Sequence, residues 1–150
     1  MPVRELLTVS SVPRGVHTRW LSTLSALLQR RLKIRRPISI AFVSARMMKR
    51  LNTSYRGVNA TTDVLSFTLH EPQSPEQASA PLGEIIISLP DVRRQARTQG
   101  HSLAEEFQVL TIHGVLHVLG YEHDGPAGAR RMRKLETGLL GELKKTLAKH

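Results

Sequence analysis

Ser102-Leu103-Ala104-Glu105-Glu106-Phe107-Gln108-Val109-Leu110-Thr111-Ile112-His113-Gly114-Val115-Leu116-His117-Val118-Leu119-Gly120-Tyr121-Glu122-His123 reads as one capped helix followed by a turn. Ser102 and Glu105 have the spacing of a capping box. The hydroxyl satisfies an exposed helix amide while the carboxylate reaches back, so neither Glu105 nor Glu106 needs a ligand role to explain its presence. His113 and His117 stand one turn apart on this helix, with roughly 5–6 Å between Cβ atoms, and can offer two imidazoles to one ion. Gly120 tolerates left-handed backbone, which lets the helix stop and turn so that His123 arrives from the other side. Three neutral nitrogens at roughly 2.0–2.1 Å suit zinc and leave a fourth position open, as in catalytic rather than structural sites. The expected metal ligands are therefore His113, His117 and His123, holding one Zn2+ ion. The competing reading makes His117 a satisfied buried histidine and His123 a surface residue.

The same His-x-x-x-His-x-x-Gly-x-x-His spacing occurs in metzincin proteases, whose pattern places a glutamate base directly after the first histidine. Position 114 here is glycine. A glycine carries no proton, so peptide hydrolysis by that route is disfavoured and a metalloprotease would need a relocated base.

At 150 residues the chain suits a single domain, 1–150, with a real hydrophobic core. It contains no cysteine, which removes thiolate ligands and disulfides together and fits a reducing cytoplasm. Arg4 and Glu5 interrupt the apolar N-terminus, and no apolar run approaches the roughly 20 residues of a membrane helix. A soluble cytoplasmic protein with no membrane partner is expected. The formal net charge of +10 favours a polyanionic partner, nucleic acid above all. The surplus is grouped in Arg30, Arg31, Lys33, Arg35 and Arg36, then in Arg46, Lys49, Arg50 and Arg56, and again in Arg130, Arg131, Arg133 and Lys134. With three Phe, two Tyr and one Trp, binding should lean on phosphates and shape rather than on stacked bases.

Along the chain, Leu6 to Ser10 reads as a short strand, and Pro13 opens a helical stretch with Val16, Trp20, Leu24, Leu27, Leu28 and Leu32 near a 3.6 period. Trp20 and Leu24 are expected in the core. Ile38, Ile40 and Phe42 alternate with Ser39 and Ala41 in a second strand, followed by a helix opened by Ser44. Asp63 to Phe67 and Glu84 to Ser88 are the third and fourth strands, the latter apolar enough for a central position. Glu71 to Pro81 reads as a loop. Pro90 begins a helix ending near Gly100, Asp124-Gly125-Pro126 makes a turn, and Ala127 opens a last helix with Met132, Leu135, Leu139 and Leu143 on one side. The predicted fold class is α+β: a single domain with a small mixed β-sheet covered by helices, one of them carrying the tri-histidine metal site.

Two further segments, Asn52-Thr53-Ser54-Tyr55-Arg56-Gly57 and Thr62-Asp63-Val64-Leu65-Ser66-Phe67, join Gly83-Glu84-Ile85-Ile86-Ile87-Ser88 and the histidine motif in order. Together they resemble the YbeY family of metal-dependent endoribonucleases. The resemblance implies a zincin-like fold and a zinc-dependent endoribonuclease specific for single strands. It implies maturation of the 3′ end of small-subunit rRNA, a part in ribosome quality control, and RNA, ribosomal subunits or ribosome-associated proteins as partners, with no DNA expected. It places zinc on His113, His117 and His123, and it marks Arg56 as functionally important. The planar fork of Arg56 suits a phosphate oxygen in catalysis. Two departures stand out: Tyr121-Glu122-His123 where the family usually has Tyr-Asp-His, and Thr61 where it often has proline.

Asp63 has a simpler role in capping or bracing the start of the third strand. Glu122 and Asp124 are the nearest candidates to accept the other N–H of a metal-bound histidine. A rival of another class is a non-catalytic RNA-binding ribosome-assembly factor, whose zinc would be closed by a fourth ligand such as His70 or His101.

Overall fold

The computed structural model describes residues 6–69, 80–121 and 125–149. Among these the order is β1 (Leu7–Val9), α1 (Trp20–Leu32), β2 (Ile38–Val43), α2 (Ala45–Arg56), β3 (Val64–Thr68), β4 (Gly83–Ser88), α3 (Leu89–Gln99), α4 (Leu103–Val118) and α5 (Gly125–Ala148). The four described strands form one mixed sheet in the order β1-β2-β4-β3. β1 and β4 run parallel to β2, and β3 runs antiparallel to β4. The apolar β4 is thus flanked on both sides, as its unbroken Ile85-Ile86-Ile87 run requires.

Register puts Ile40 opposite Ile85 and Phe42 opposite Ile87, so one sheet face is continuous across β2 and β4. α4 lies across β3 and β4 and is contacted in turn by α3 and α5. Phe107 of α4 meets Trp20 and Phe42 edge-on, at 4.8 and 5.3 Å between ring centroids, which locks α1, β2 and α4 into one core. Trp20 and Leu24 are buried there, as expected.

Two boundaries differ from the sequence reading. α1 starts at Trp20, because Gly15 adopts φ +79° and Val16 N–H bonds to Pro13 in a turn. Val16 still packs on the core, which is why it fell in phase with the helical pattern. α5 begins at Gly125, placing Pro126 inside the first turn, where its missing N–H has no helical partner to lose. Of the expected loop Glu71 to Pro81, residues 71–79 lie outside the described part; Ala80 and Pro81 accept hydrogen bonds from the Arg36 guanidinium. No described helix is long and apolar enough to cross a membrane.

Candidate active site

The helix that carries the histidines is built as its sequence dictates. Ser102 Oγ accepts from Glu105 N at 3.1 Å, and the Glu105 carboxylate returns to the Ser102 hydroxyl rather than to its amide. α4 ends at Val118, and Gly120 follows at φ +92°. His113 Nε2 and His117 Nε2 face each other at 2.9 Å with their rings 69° apart. Zinc bonds of roughly 2.0–2.1 Å in a tetrahedral shell set such nitrogens about 3.3–3.4 Å apart, so a few tenths of an ångström of opening would admit the ion. The donor pair fits. No cluster of three or more metal-ligating side chains occurs among the described residues, and His123, Glu122 and Asp124 lie outside them.

The two imidazoles open onto a cleft of about 580 Å3, lined also by Arg56, Thr62, Asp63, Val64, Leu65 and Ser66. Arg56 is the last residue of α2, and Gly57 turns the chain away in left-handed backbone at φ +70°. Asn52, buried on the same helix, donates from Nδ2 to Ala60 O at 2.9 Å and pins the loop that follows. Tyr55 packs edge-on against Phe67 of β3, with centroids 5.0 Å apart. These contacts bring the end of α2 to the strand that forms the cleft wall. Asp63 braces that wall: its carbonyl accepts from Ser88 N at 2.9 Å. Thr61 donates to Asp91 Oδ2 at 2.8 Å, a tie that a proline at this position would lack.

Gly114 has a packing reason to be glycine. It is buried against β4, where an added Cβ would lie 3.0 Å from Ile85 Cδ1 and 3.1 Å from both Cγ atoms. Position 114 therefore has no room for the base that the protease pattern puts there. His101 sits beyond the start of α4, with Nδ1 3.8 Å from Glu105 Oε2. The ten helical steps from Leu103 to His113 rise about 15 Å, so His101 is remote from the imidazole pair as a fourth ligand. His70 lies outside the described residues.

One acid escaped the sequence reading. Glu136 of α5 is hydrogen-bonded to His113 Nδ1, across 23 residues. The signal was present, because position 136 falls in the Met132, Leu139, Leu143 stripe, where an acid is out of place. Glu106 is only 5% exposed. Burial pushes its carboxyl above the ordinary value of 4.5; His101 opposes that shift and the Asp63 carboxylate adds to it. Of the basic groups, Arg46, Lys49 and Arg50 line a groove on α2 with Thr53, Ser54 and Asn59. The first cluster is partly structural, since Arg31 pairs with Glu142 and Arg36 holds the 80–81 backbone.

A family model described as Endoribonuclease YbeY matches residues 10–144. Endoribonuclease YbeY of Moorella thermoacetica is 48% identical over 109 residues, covering 69% of this chain and 70% of that protein. The protein of the same name from Pelotomaculum thermopropionicum is 44% identical over 111 residues, covering 73% of each. In fold, the solution structure of a Thermotoga maritima protein aligns with a TM-score of 0.59 over 96% of this chain and 95% of that one, at 24% identity. The family match takes in α1 through most of α5, including the cleft with His113 and His117, and the chain belongs to the YbeY endoribonuclease family.

Proposed function

We propose that the protein is a zinc-dependent endoribonuclease that cuts single-stranded RNA, matures the 3′ end of small-subunit rRNA and serves ribosome quality control. It would act in the cytoplasm with ribosomal subunits or proteins bound to them. The observation that carries this reading is the shared cleft: Arg56 from α2 and the imidazole pair from α4 line one space in a chain of this family. The ligand set would be His113 and His117, already convergent, completed by His123 in a zincin-like arrangement. Zinc bound there would supply a full double positive charge beside a phosphate oxygen and stabilise the charge that develops during phosphodiester cleavage.

The chain's own residues do the positioning. Arg56 grips a second phosphate oxygen through its fork, and Gly57 with the Asn52 bond fixes where that fork starts. Arg46, Lys49, Arg50 and Arg56 recur at helical spacing along α2, giving the RNA backbone a cationic track that ends at the cleft. Glycine at 114 removes the peptidase base, which favours a phosphodiester over a peptide substrate.

The test is cleavage of a structured rRNA fragment by zinc-loaded protein, beside His117→Ala, Arg56→Ala and a chelated control. Cleavage should vanish without metal or His117, and fall by roughly 10²–10³-fold without Arg56. Full activity of chelated protein, or of His117→Ala, would reject the reading.

A further inference from the structure

We infer that Glu136 is a positioning residue of the metal centre, acting through His113. This rests on the metal reading of the imidazole pair above. The geometry is specific. One Glu136 carboxylate oxygen is bonded to His113 Nδ1, while the opposite ring nitrogen, Nε2, is the one that faces His117. A carboxylate partner accepts, so this bond favours the tautomer with its proton on Nδ1, which leaves the Nε2 lone pair toward the cleft. Glu136 thus selects the tautomer that can ligate, and it sets the ring angle before any ion arrives.

The choice of partner supports a role beyond general stability. α5 carries Arg130, Arg131, Arg133 and Lys134 within six residues of Glu136. Its other acid, Glu142, pairs with a cation, Arg31 of α1. Glu136 instead bonds an imidazole on α4, and the side chains of the pair are only 23% and 28% exposed. Met132, Leu139 and Leu143 of the same stripe are buried, which anchors the helix that carries the carboxylate. α5 therefore reaches the site through the His113 ring.

The experiment measures zinc affinity by chelator competition for the wild-type chain, Glu136→Gln, Glu136→Ala and a control, Glu142→Gln. It is paired with nitrogen-15 NMR of the His113 ring in metal-free protein. The expected result is a roughly 10–100-fold loss of zinc affinity in Glu136→Ala, a smaller loss in Glu136→Gln, which still accepts a hydrogen bond, and none in Glu142→Gln. The His113 ring should shift from the Nδ1–H tautomer in the wild type toward Nε2–H in Glu136→Ala. Zinc affinity within about twofold of wild type in both Glu136 variants overturns the inference. If Glu136→Ala fails to fold, Glu136→Gln and the wild-type tautomer decide; a wild-type ring protonated at Nε2 also overturns it. A wild-type chain that binds no zinc sinks the metal reading, and with it this role, even if the tautomer is as expected.

Discussion

Replacing Gly114 with alanine tests the packing that sets α4 on the sheet. In an open helix position the change would stabilise by about 0.8–1 kcal/mol, because alanine is the better helix former. Here the new methyl meets three atoms of Ile85 at 3.0–3.1 Å. Ile85 is fully buried on β4, with Ile40 of β2 on one side and Ser66 of β3 on the other, so it has nowhere to retreat. Overpacking of this kind costs about 1–3 kcal/mol. Subtracting the helix gain leaves a net loss of roughly 0–2 kcal/mol, and each kcal/mol lowers Tm by about 2–4 °C for a domain of this size. Urea denaturation at unchanged m-value reads the loss. A cycle with Ile85→Val probes the nearest contact, because that change deletes Cδ1 and leaves the two Cγ atoms. Alone it should cost about 0.5–1.5 kcal/mol, and less in the Gly114→Ala background, with a coupling of at least about 0.5 kcal/mol. A stabilised Gly114→Ala protein, or strict additivity, would refute the argument that Ile85 excludes a side chain at 114.

Gly83→Ala should be worse, at least about 3 kcal/mol, since its Cβ would lie 2.5 Å from the Phe67 carbonyl oxygen and from Val118 Cγ1; a Tm within about 2 °C of wild type would contradict this. Glu106→Gln should raise stability near pH 8 and lose that advantage below pH 4.5. A carboxyl whose folded value is raised keeps its proton longer folded than unfolded, so wild-type stability falls as pH climbs from 4.5 through the raised value, and glutamine has nothing to ionise. Thermal melts from about pH 4 to pH 8 check the sign, and a gap that widens toward acid would overturn it. Removing both Lys49 and Arg50 should flatten the slope of log affinity against log salt by about 1.4 on single-stranded RNA, read by fluorescence anisotropy. An unchanged slope would take the α2 groove out of the RNA path.

Much of the fold was legible because its signals are local. The alternation of Ile38, Ile40 and Phe42, the Ser44 and Ser102 caps and the glycine stops at 100 and 120 each act within one or two turns of chain. α1 shows the limit of such reading: Val16 keeps the helical phase, yet the backbone at Gly15 breaks the helix before it. The sheet order lay beyond sequence, since periodicity says which face of β4 is apolar and not which strand lies beside it.

The same division runs through the site. Sequence by itself determined that His113 and His117 share one helix face, because four residues nearly complete one helical turn wherever the helix is placed. It also put glycine where a peptidase keeps its base. Only the tertiary structure decided that Arg56 lines one cleft with the histidines, that Ile85 forbids a side chain at 114, and that Glu136 holds the His113 ring. Those pairs are 23 to 61 residues apart in sequence, and what joins them is the burial of α4 between the sheet and α5, a global optimum of packing that no local pattern encodes.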